Sequence, residues 1–267
     1  MGYKRTFMDM MSLHEAKAIE SVPAGTYSSD LTENLTVEVT EDKPYRGNWS
    51  LTSSGGTTAF YYTPGTAYSS ASYSHIHVSI WPLVSHQPEF GLLVAGNTYI
   101  EEAPALNASE WNDVDCWLKG AKYGGTGSAV NASDYATISI EYGSHAFLDN
   151  ISVFNAETSS EYDRWVELRG SYKLSQTGKV EETGVAGRSG DITQQGRANN
   201  MMIDVDCVEA VSASRFVRFL NDHVGNGTLL FNSDMLVTPV TLDSYTMEFE
   251  SKDVVKCRLR LREYSNV

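Results

Sequence analysis

Short runs in which apolar and polar residues alternate are the feature that most constrains the fold of this chain. Residues 73–81, 111–118 and 135–154 show this alternation, and so does the last run, residues 254–262. A period of two places successive side chains on opposite faces of a strand, so each run predicts a half-buried β-strand. In residues 73–81, for example, Ile76, Val78 and Ile80 share one face, which is predicted to face a core.

The remaining sequence is also typical of β structure, with two predicted helices. Ser12 and Glu15 have the spacing of a capping box, which predicts a short helix within an N-terminal arm, residues 1–25. A second helix is predicted after Ser212 or Ser214 and before Gly225, which is suited to end it. The apolar face of this second helix is formed by Phe216, Val217, Phe219 and Leu220.

A polar stretch, residues 156–161, divides the predicted strands into two groups. It consists of small and polar residues without apolar anchors, which is typical of a linker. We therefore expect one domain over residues 26–156 and another over residues 162–267.

The outward faces of two strands in the first domain carry residue types that bind sugars. One face combines aromatic rings with histidines, and the other combines tryptophans with aspartates. Aromatic rings cover the apolar face of a pyranose, while carboxylates and imidazoles hydrogen-bond to its hydroxyls. The alternatives are a second core layer or a subunit contact. The predicted ligand-binding residues are Tyr73, His75, His77, Trp81, Asp115 and Trp117.

The run YATISIEYGSHAFLDNISVF, which starts at Tyr135, together with the upstream EWNDVDCWLKG, resembles the last strands of a jelly-roll carbohydrate-binding module of the galactose-binding-like type. The resemblance covers about half of the chain and implies a β-sandwich. It also implies a structural calcium ion held by Asp149. The alternative is that Asp149 caps a turn and binds no metal ion. His75 and His77, two apart on one strand, have the spacing to share a metal, but the sequence places no third ligand, which favours two ordinary polar-face histidines.

The second half resembles a different family. Gly-Arg-Ser-Gly-Asp at residues 187–191, a second Gly-Arg at 196–197 and a single helix between strands resemble tail-tube-like domains of tailed viruses. The resemblance implies assembly into a ring. In the final strand four cations share one face, and an acidic strand offers counter-charges within the subunit or across a ring. The predicted assembly residues are Arg188, Arg197, Lys256, Arg258, Arg260, Arg262, Asp204 and Asp206.

Composition narrows the function further. The 267 residues carry a formal net charge of −14, which disfavours a specific nucleic-acid partner. No membrane span, secretory signal or catalytic motif is recognised, so we expect a non-enzymatic protein that is made in the host cytoplasm. The 3 cysteines indicate buried thiols, although Cys207 and Cys257 could pair if their strands are adjacent.

Together these features predict a mainly β protein, with an N-terminal jelly-roll β-sandwich and a C-terminal tail-tube-like β domain with one helix. The predicted function is that of a structural component of a virus particle, in the tail or baseplate. Its homo-oligomeric ring would contact other virion proteins and display a domain that binds a glycan of the host surface. The alternative is a free carbohydrate-binding module of a polysaccharide-degrading system.

Overall fold

The computed structural model describes residues 11–19, 37–40, 42–45, 50–53, 56–64, 66–131, 134–157, 164–184, 192–209, 213–233, 236–250 and 254–263. The helices are a 3-10 helix, Leu118–Gly120, and α1 (Ala213–His223). In chain order the strands are β1 (Ser12–Ala18), β2 (Val37–Thr40), β3 (Ser50–Ser53), β4 (Thr58–Tyr62), β5 (Tyr68–Ser69), β6 (His75–Pro82), β7 (Pro88–Val94), β8 (Asn97–Glu102), β9 (Asn112–Trp117), β10 (Lys122–Tyr123), β11 (Asp134–Tyr135), β12 (Thr137–Tyr142), β13 (Ala146–Phe154), β14 (Trp165–Glu167), β15 (Arg169–Gly184), β16 (Ile192–Glu209), β17 (Thr228–Asn232), β18 (Val237–Phe249) and β19 (Val255–Glu263).

The predicted mainly β fold is confirmed, and the chain forms two compact units. The first unit consists of Met1–Leu168 together with Gly227–Pro239, and the second consists of Arg169–Asn226 together with Val240–Val267. This division differs from the predicted domains, because a segment near the C-terminus belongs with the first unit.

The first unit is a sandwich of two antiparallel sheets. In one sheet the order is β17-β1-β13-β3-β2, with β14 on β1, β6 on β13 and β9 on β6; in the other it is β10-β8-β7-β12-β4. Ile76, Val78 and Ile80 of the first sheet are buried in one apolar cluster with Phe90 and Ile140 of the second sheet. The alternation in residues 73–81 therefore identified the core face correctly.

The predicted N-terminal helix is wrong, because Ser12–Ala18 is strand β1. Leu13 of β1 is aligned with Phe231 of β17 and with Val166 of β14. Further along β1, Ala16 is aligned with Phe154 of β13. Pairing with three strands outweighs the local capping signal, as tertiary contacts commonly outweigh weak helix propensity.

Strand β13 changes partners at a bulge in its middle. Leu148 pairs with β3, whereas the end of the strand pairs with β1. Its pairing with β6 shifts register between Asp149 and Ser152, and Asn150 has a φ of 57°. A bulge bends a strand, and here the bend allows β13 to pair with β3 at one end and with β1 at the other.

In the second unit the strand order is β15-β16-β19-β18. The predicted helix is confirmed as α1, with Phe216, Phe219 and Leu220 buried. Gly225 follows it with a φ of 69° and donates its amide hydrogen to the Leu242 carbonyl at 2.9 Å. The left-handed conformation at Gly225 explains why a glycine ends this helix.

Candidate functional site

The middle of the predicted sugar-binding face is not open to solvent. His75, His77 and Asp115 are buried, so the expectation that the whole face is exposed is wrong. Part of the reason is a second apolar layer on the outer side of β13, formed by Phe154 with Ala16, Leu230 and Val237. The face thus includes the second core layer that was the alternative interpretation of the sequence.

The buried polar residues of this face bind one another across strands. His77 Nδ1 and Asp115 Oδ1 are 2.6 Å apart, and the Ser79 hydroxyl donates to Asp113 Oδ1 at 2.6 Å. The Tyr45 hydroxyl donates to Asp113 Oδ2 at 3.2 Å. Because buried polar groups must be hydrogen-bonded, these contacts allow a polar strand face to be covered.

Asn150, at the bulge, was not singled out from the sequence as a contact residue. Its Nδ2 donates to the Val237 carbonyl at 2.8 Å. Its Oδ1 is buried and accepts no hydrogen bond within the described part of the chain. The Asp-Asn pair in the sequence signals a turn or bulge, but it does not reveal a partner located 87 residues away.

Two buried histidines lie against Phe154. The ring centroids of His14 and His75 are 5.4 Å and 5.2 Å from that of Phe154. Burial lowers the pKa of His14 and the pKa of His75 to about 4 each, because the charged imidazolium is poorly solvated there. Both rings are therefore neutral near pH 7 and pack as uncharged side chains.

Among the described residues, no group of three or more His, Cys, Asp or Glu side chains is arranged to hold a metal ion.

Asp149, the predicted calcium ligand, is buried and accepts backbone hydrogen bonds on both oxygens. The Asn150 amide donates to Oδ1 at 2.7 Å, and the Tyr45 amide donates to Oδ2 at 2.5 Å. These contacts hold the loop before β3 against β13. Calcium binding at Asp149 stays a prediction.

An aromatic surface forms at one end of the face, where β6 ends. We define the Trp81 surface as Trp81, Trp111, Tyr45 and Lys43. The Trp81 and Trp111 centroids are 5.9 Å apart, and the Tyr45 and Trp111 centroids are 5.1 Å apart. Lys43 Nζ lies 4.7 Å from the centroid of Trp81. The three aromatic side chains are half-buried, so each is held in place while part of it stays accessible.

Sequence reasoning found Trp81 but missed its neighbours from the preceding loop. Tyr45 and Lys43 lie between β2 and β3, where no alternation marks which residues meet the sheet. The only signal in the sequence was that a lysine and a tyrosine occur in the segment that precedes a strand.

The other end of the face is separate from the Trp81 surface. His75 and Trp81 are six positions apart on β6, which is about 20 Å along a strand. Trp117, opposite His75, is 51% exposed and donates from Nε1 to Glu157 Oε1 at 3.1 Å. Burial acts to raise the pKa of Glu157, but hydrogen bonds from Lys119 and Trp117 outweigh it and hold that pKa below its ordinary value.

Tyr73 is half-buried beside Tyr68, and the centroids of the two rings are 4.9 Å apart. The predicted residues therefore form no single site.

The predicted basic stripe of the second unit is paired within the chain. Arg258 and Asp206 are 2.7 Å apart, Arg260 and Asp204 are 3.1 Å apart, and all four are exposed or half-exposed. Arg262 pairs with Asp243 at 2.8 Å, and Lys256 pairs with Glu250. Of the two alternatives left open by the sequence, the counter-charges within the subunit are observed. Arg188 lies outside the described residues, and for Arg197 only its backbone position in β16 is described.

Helices of the described residues are too short or too polar to cross a membrane.

No protein-family model and no curated protein matches the chain. Among solved structures, the chain is similar to a family 11 carbohydrate-binding module from Clostridium thermocellum in complex with a β-1,3-1,4-mixed-linked tetrasaccharide. That similarity has 12% identity and a TM-score of 0.40, and it covers 55% of this chain and 98% of that chain. The family 11 module of the cellulosomal cellulase Lic26A-Cel5E of Clostridium thermocellum is similar at 11% identity and a TM-score of 0.40, over 54% of this chain and 97% of that chain.

Proposed function

We propose that the first unit binds a carbohydrate at the Trp81 surface. The observation that supports this proposal is a set of half-buried aromatic rings, fixed against one another and partly open to solvent. Such rings stack on the apolar face of a sugar without losing much conformational entropy, because their neighbours already hold them. The ammonium group of Lys43 supplies hydrogen-bond donors for sugar hydroxyls at the same place.

The orientation of the Tyr45 ring depends on buried aspartates. The Tyr45 hydroxyl is bound by Asp113, and the Tyr45 amide is bound by Asp149. A binding site whose side chains are fixed by a supporting layer keeps its shape in the absence of ligand. In this proposal the buried aspartates position the ring of Tyr45 and do not contact the sugar.

Affinity electrophoresis in gels that contain single soluble polysaccharides tests the proposal. We expect Trp81→Ala to abolish the retardation of the protein by a polysaccharide that retards the wild type. Trp117→Ala is the matched control, because Trp117 is an exposed tryptophan on the same sheet about 20 Å away along the strands. Equal losses in the two variants, or retained binding in Trp81→Ala, would contradict the assignment. Thermal unfolding of both variants checks that they are folded.

We also propose that the second unit joins copies of the chain. The β15–β16 pairing continues to Gly184 and Ile192, whereas the pairing of β16 with β19 ends at Met202 and Arg262. Beyond that point the two strands form a ribbon with no third strand among the described residues. A two-stranded ribbon is only marginally stable alone, and an open strand edge favours pairing with another chain. Leu174 on β15 is 51% exposed and adds an apolar contact.

Molar mass measured by light scattering tests this second role. We expect Leu174→Lys to shift an oligomer toward the monomer, because the exposed leucine contributes apolar area to the contact. Ser171→Lys, on the opposite face of the same strand, should leave the mass unchanged. A wild-type protein that is monomeric at high concentration would contradict assembly.

We propose that a protein with these two roles serves as a structural component of a virus particle, in its tail or baseplate, and displays a glycan-binding surface. A free carbohydrate-binding module is the alternative. An oligomer of defined mass favours the first reading, and a monomer that binds polysaccharide favours the second.

A further inference from the structure

Two of the three cysteines face each other across neighbouring strands of the second unit. Cys207 of β16 and Cys257 of β19 are directly aligned in the antiparallel ladder. Both thiols are buried, and neither is in a disulfide. Because directly opposite residues in a sheet point to the same side, both side chains lie on the apolar face with Val205 and Leu259.

The spacing of such a pair fits a disulfide. Opposite Cα atoms in an antiparallel ladder are about 4.5–5.5 Å apart, within the roughly 4.4–6.8 Å that disulfides span. The aligned pairs continue on both sides, from Met202 with Arg262 to Glu209 with Val255. The bond can therefore form without a change of register.

A cavity borders the pair, and residues of the charged sheet face, among them Asp206 and Arg258, also line it. It has a volume of about 510 Å³, and both cysteines line it together with Gly170 and Met247. Gly170 is aligned with Cys207, and Met247 is aligned with Cys257, so the four residues form one row across the sheet.

We propose that Cys207 and Cys257 form a dithiol site that a small-molecule disulfide, such as oxidised glutathione, converts into an intramolecular disulfide. One cysteine thiolate attacks the reagent, forms a mixed disulfide and releases one reagent thiol. The thiolate of the other cysteine then attacks the protein sulfur of the mixed disulfide, forms the Cys207–Cys257 bond and releases the second reagent thiol. The protein is oxidised by two electrons and loses two hydrogens, and the reagent is reduced to two thiols. The new bond closes a loop that contains α1 and ties β16 to β19.

The test uses the full-length reduced protein with oxidised glutathione, followed by alkylation of the remaining thiols and mass spectrometry. We expect an intact mass that lacks two hydrogens and carries one alkyl group, on Cys116. Peptide mapping should find the bond between the peptides of Cys207 and Cys257. The oxidised protein should also unfold at a higher urea concentration than the reduced protein, because the cross-link restricts the unfolded chain.

Two variants separate this bond from unspecific oxidation. Cys116→Ser should still lose two hydrogens, because Cys116 lies in the first unit. Cys257→Ser should instead retain glutathione on Cys207 or stay reduced. If Cys257→Ser does not fold, the peptide map of the wild type and of Cys116→Ser decides alone. Stable mixed disulfides on the wild type, a bond that involves Cys116, or three alkylated thiols after oxidation would overturn the proposal.

Discussion

At the scale of the residue, alternation predicted the direction of each side chain but not what lies over it. Ile76 and His77 are neighbours on β6, and both are completely buried. The sequence identified Ile76 as core, since a strand with period two has one apolar face. The burial of His77 depends on Asp115 from another strand and on a second layer over the face. Such a layer comes from distant segments, and no local pattern records it.

The two histidines beside Phe154 predict a loss of stability in mild acid. Their pKa values in the folded protein are lowered to about 4, whereas an unfolded chain protonates them near the ordinary value of 6.5. Between these values the unfolded state binds more protons, so the free energy of unfolding falls as the pH falls from about 6.5 to about 4. The loss is on the order of 3 kcal/mol per histidine.

Urea unfolding at a series of pH values checks this prediction. The double variant His14→Gln/His75→Gln should show a shallower dependence on pH across that window, whatever its stability at pH 7. An equally steep dependence in variant and wild type would show that other groups cause it.

At the scale of the element, pairing decided what local signals left open. The capping spacing of Ser12 and Glu15 predicted a helix, yet the segment is a strand in the first sheet. In contrast, α1 was predicted with its final glycine, because its apolar face and its end are both local features. Helices that depend on nearby residues are thus accessible to sequence reasoning, whereas a strand whose partners are β13, β14 and β17 is not.

Gly170 is predicted to be required for the pairing of β15 with β16. A Cβ atom at this position would lie 2.0 Å from the Asp206 carbonyl oxygen and 2.8 Å from the Cys207 Cα, and both are backbone atoms. Gly170→Ala should therefore lower the free energy of unfolding by about 1–3 kcal/mol, since one strand must shift away from the other. Chemical denaturation measures the change. Gly56→Ala is the control, because a Cβ at Gly56 meets nothing within 4 Å; similar effects of the two substitutions would refute the explanation.

At the scale of the whole molecule, the polar stretch predicted as a linker does not separate two independent halves. Residues 155–157 are held by the first unit: the Asn155 amide donates to the Glu15 carbonyl at 2.9 Å, and the Ala156 amide donates to the Ser74 hydroxyl at 3.1 Å. Composition indicated a boundary, but it could not show that residues 227–239 return to the first unit. Only the pairing of β17 with β1 determines that return.

A cut within residues 158–163 should therefore leave the two pieces associated. Strand β17 is aligned with β1 from Ser12–Asn232 to Ala16–Thr228, and Leu230 and Val237 are buried with Ala16 and Phe154. After cleavage at a protease site introduced there, we expect both pieces to elute together in size-exclusion chromatography and to separate only in urea. Two pieces that separate under native conditions, each folded, would contradict the observed division into units.

The late position of β17 in the chain also determines when the first unit can be completed during synthesis. Strand β1 leaves the ribosome before β17 (Thr228–Asn232), the strand with which it has the most aligned residues, and β17 follows more than 200 residues later. Until then one edge of β1 and the apolar side chains of Ala16 and Phe154 lack their cover from Leu230 and Val237. Open edges and uncovered apolar surface favour aggregation of partly made chains. A chain that stops before β17 therefore lacks part of its first unit as well as part of its second, and we expect it to aggregate more readily than the full chain.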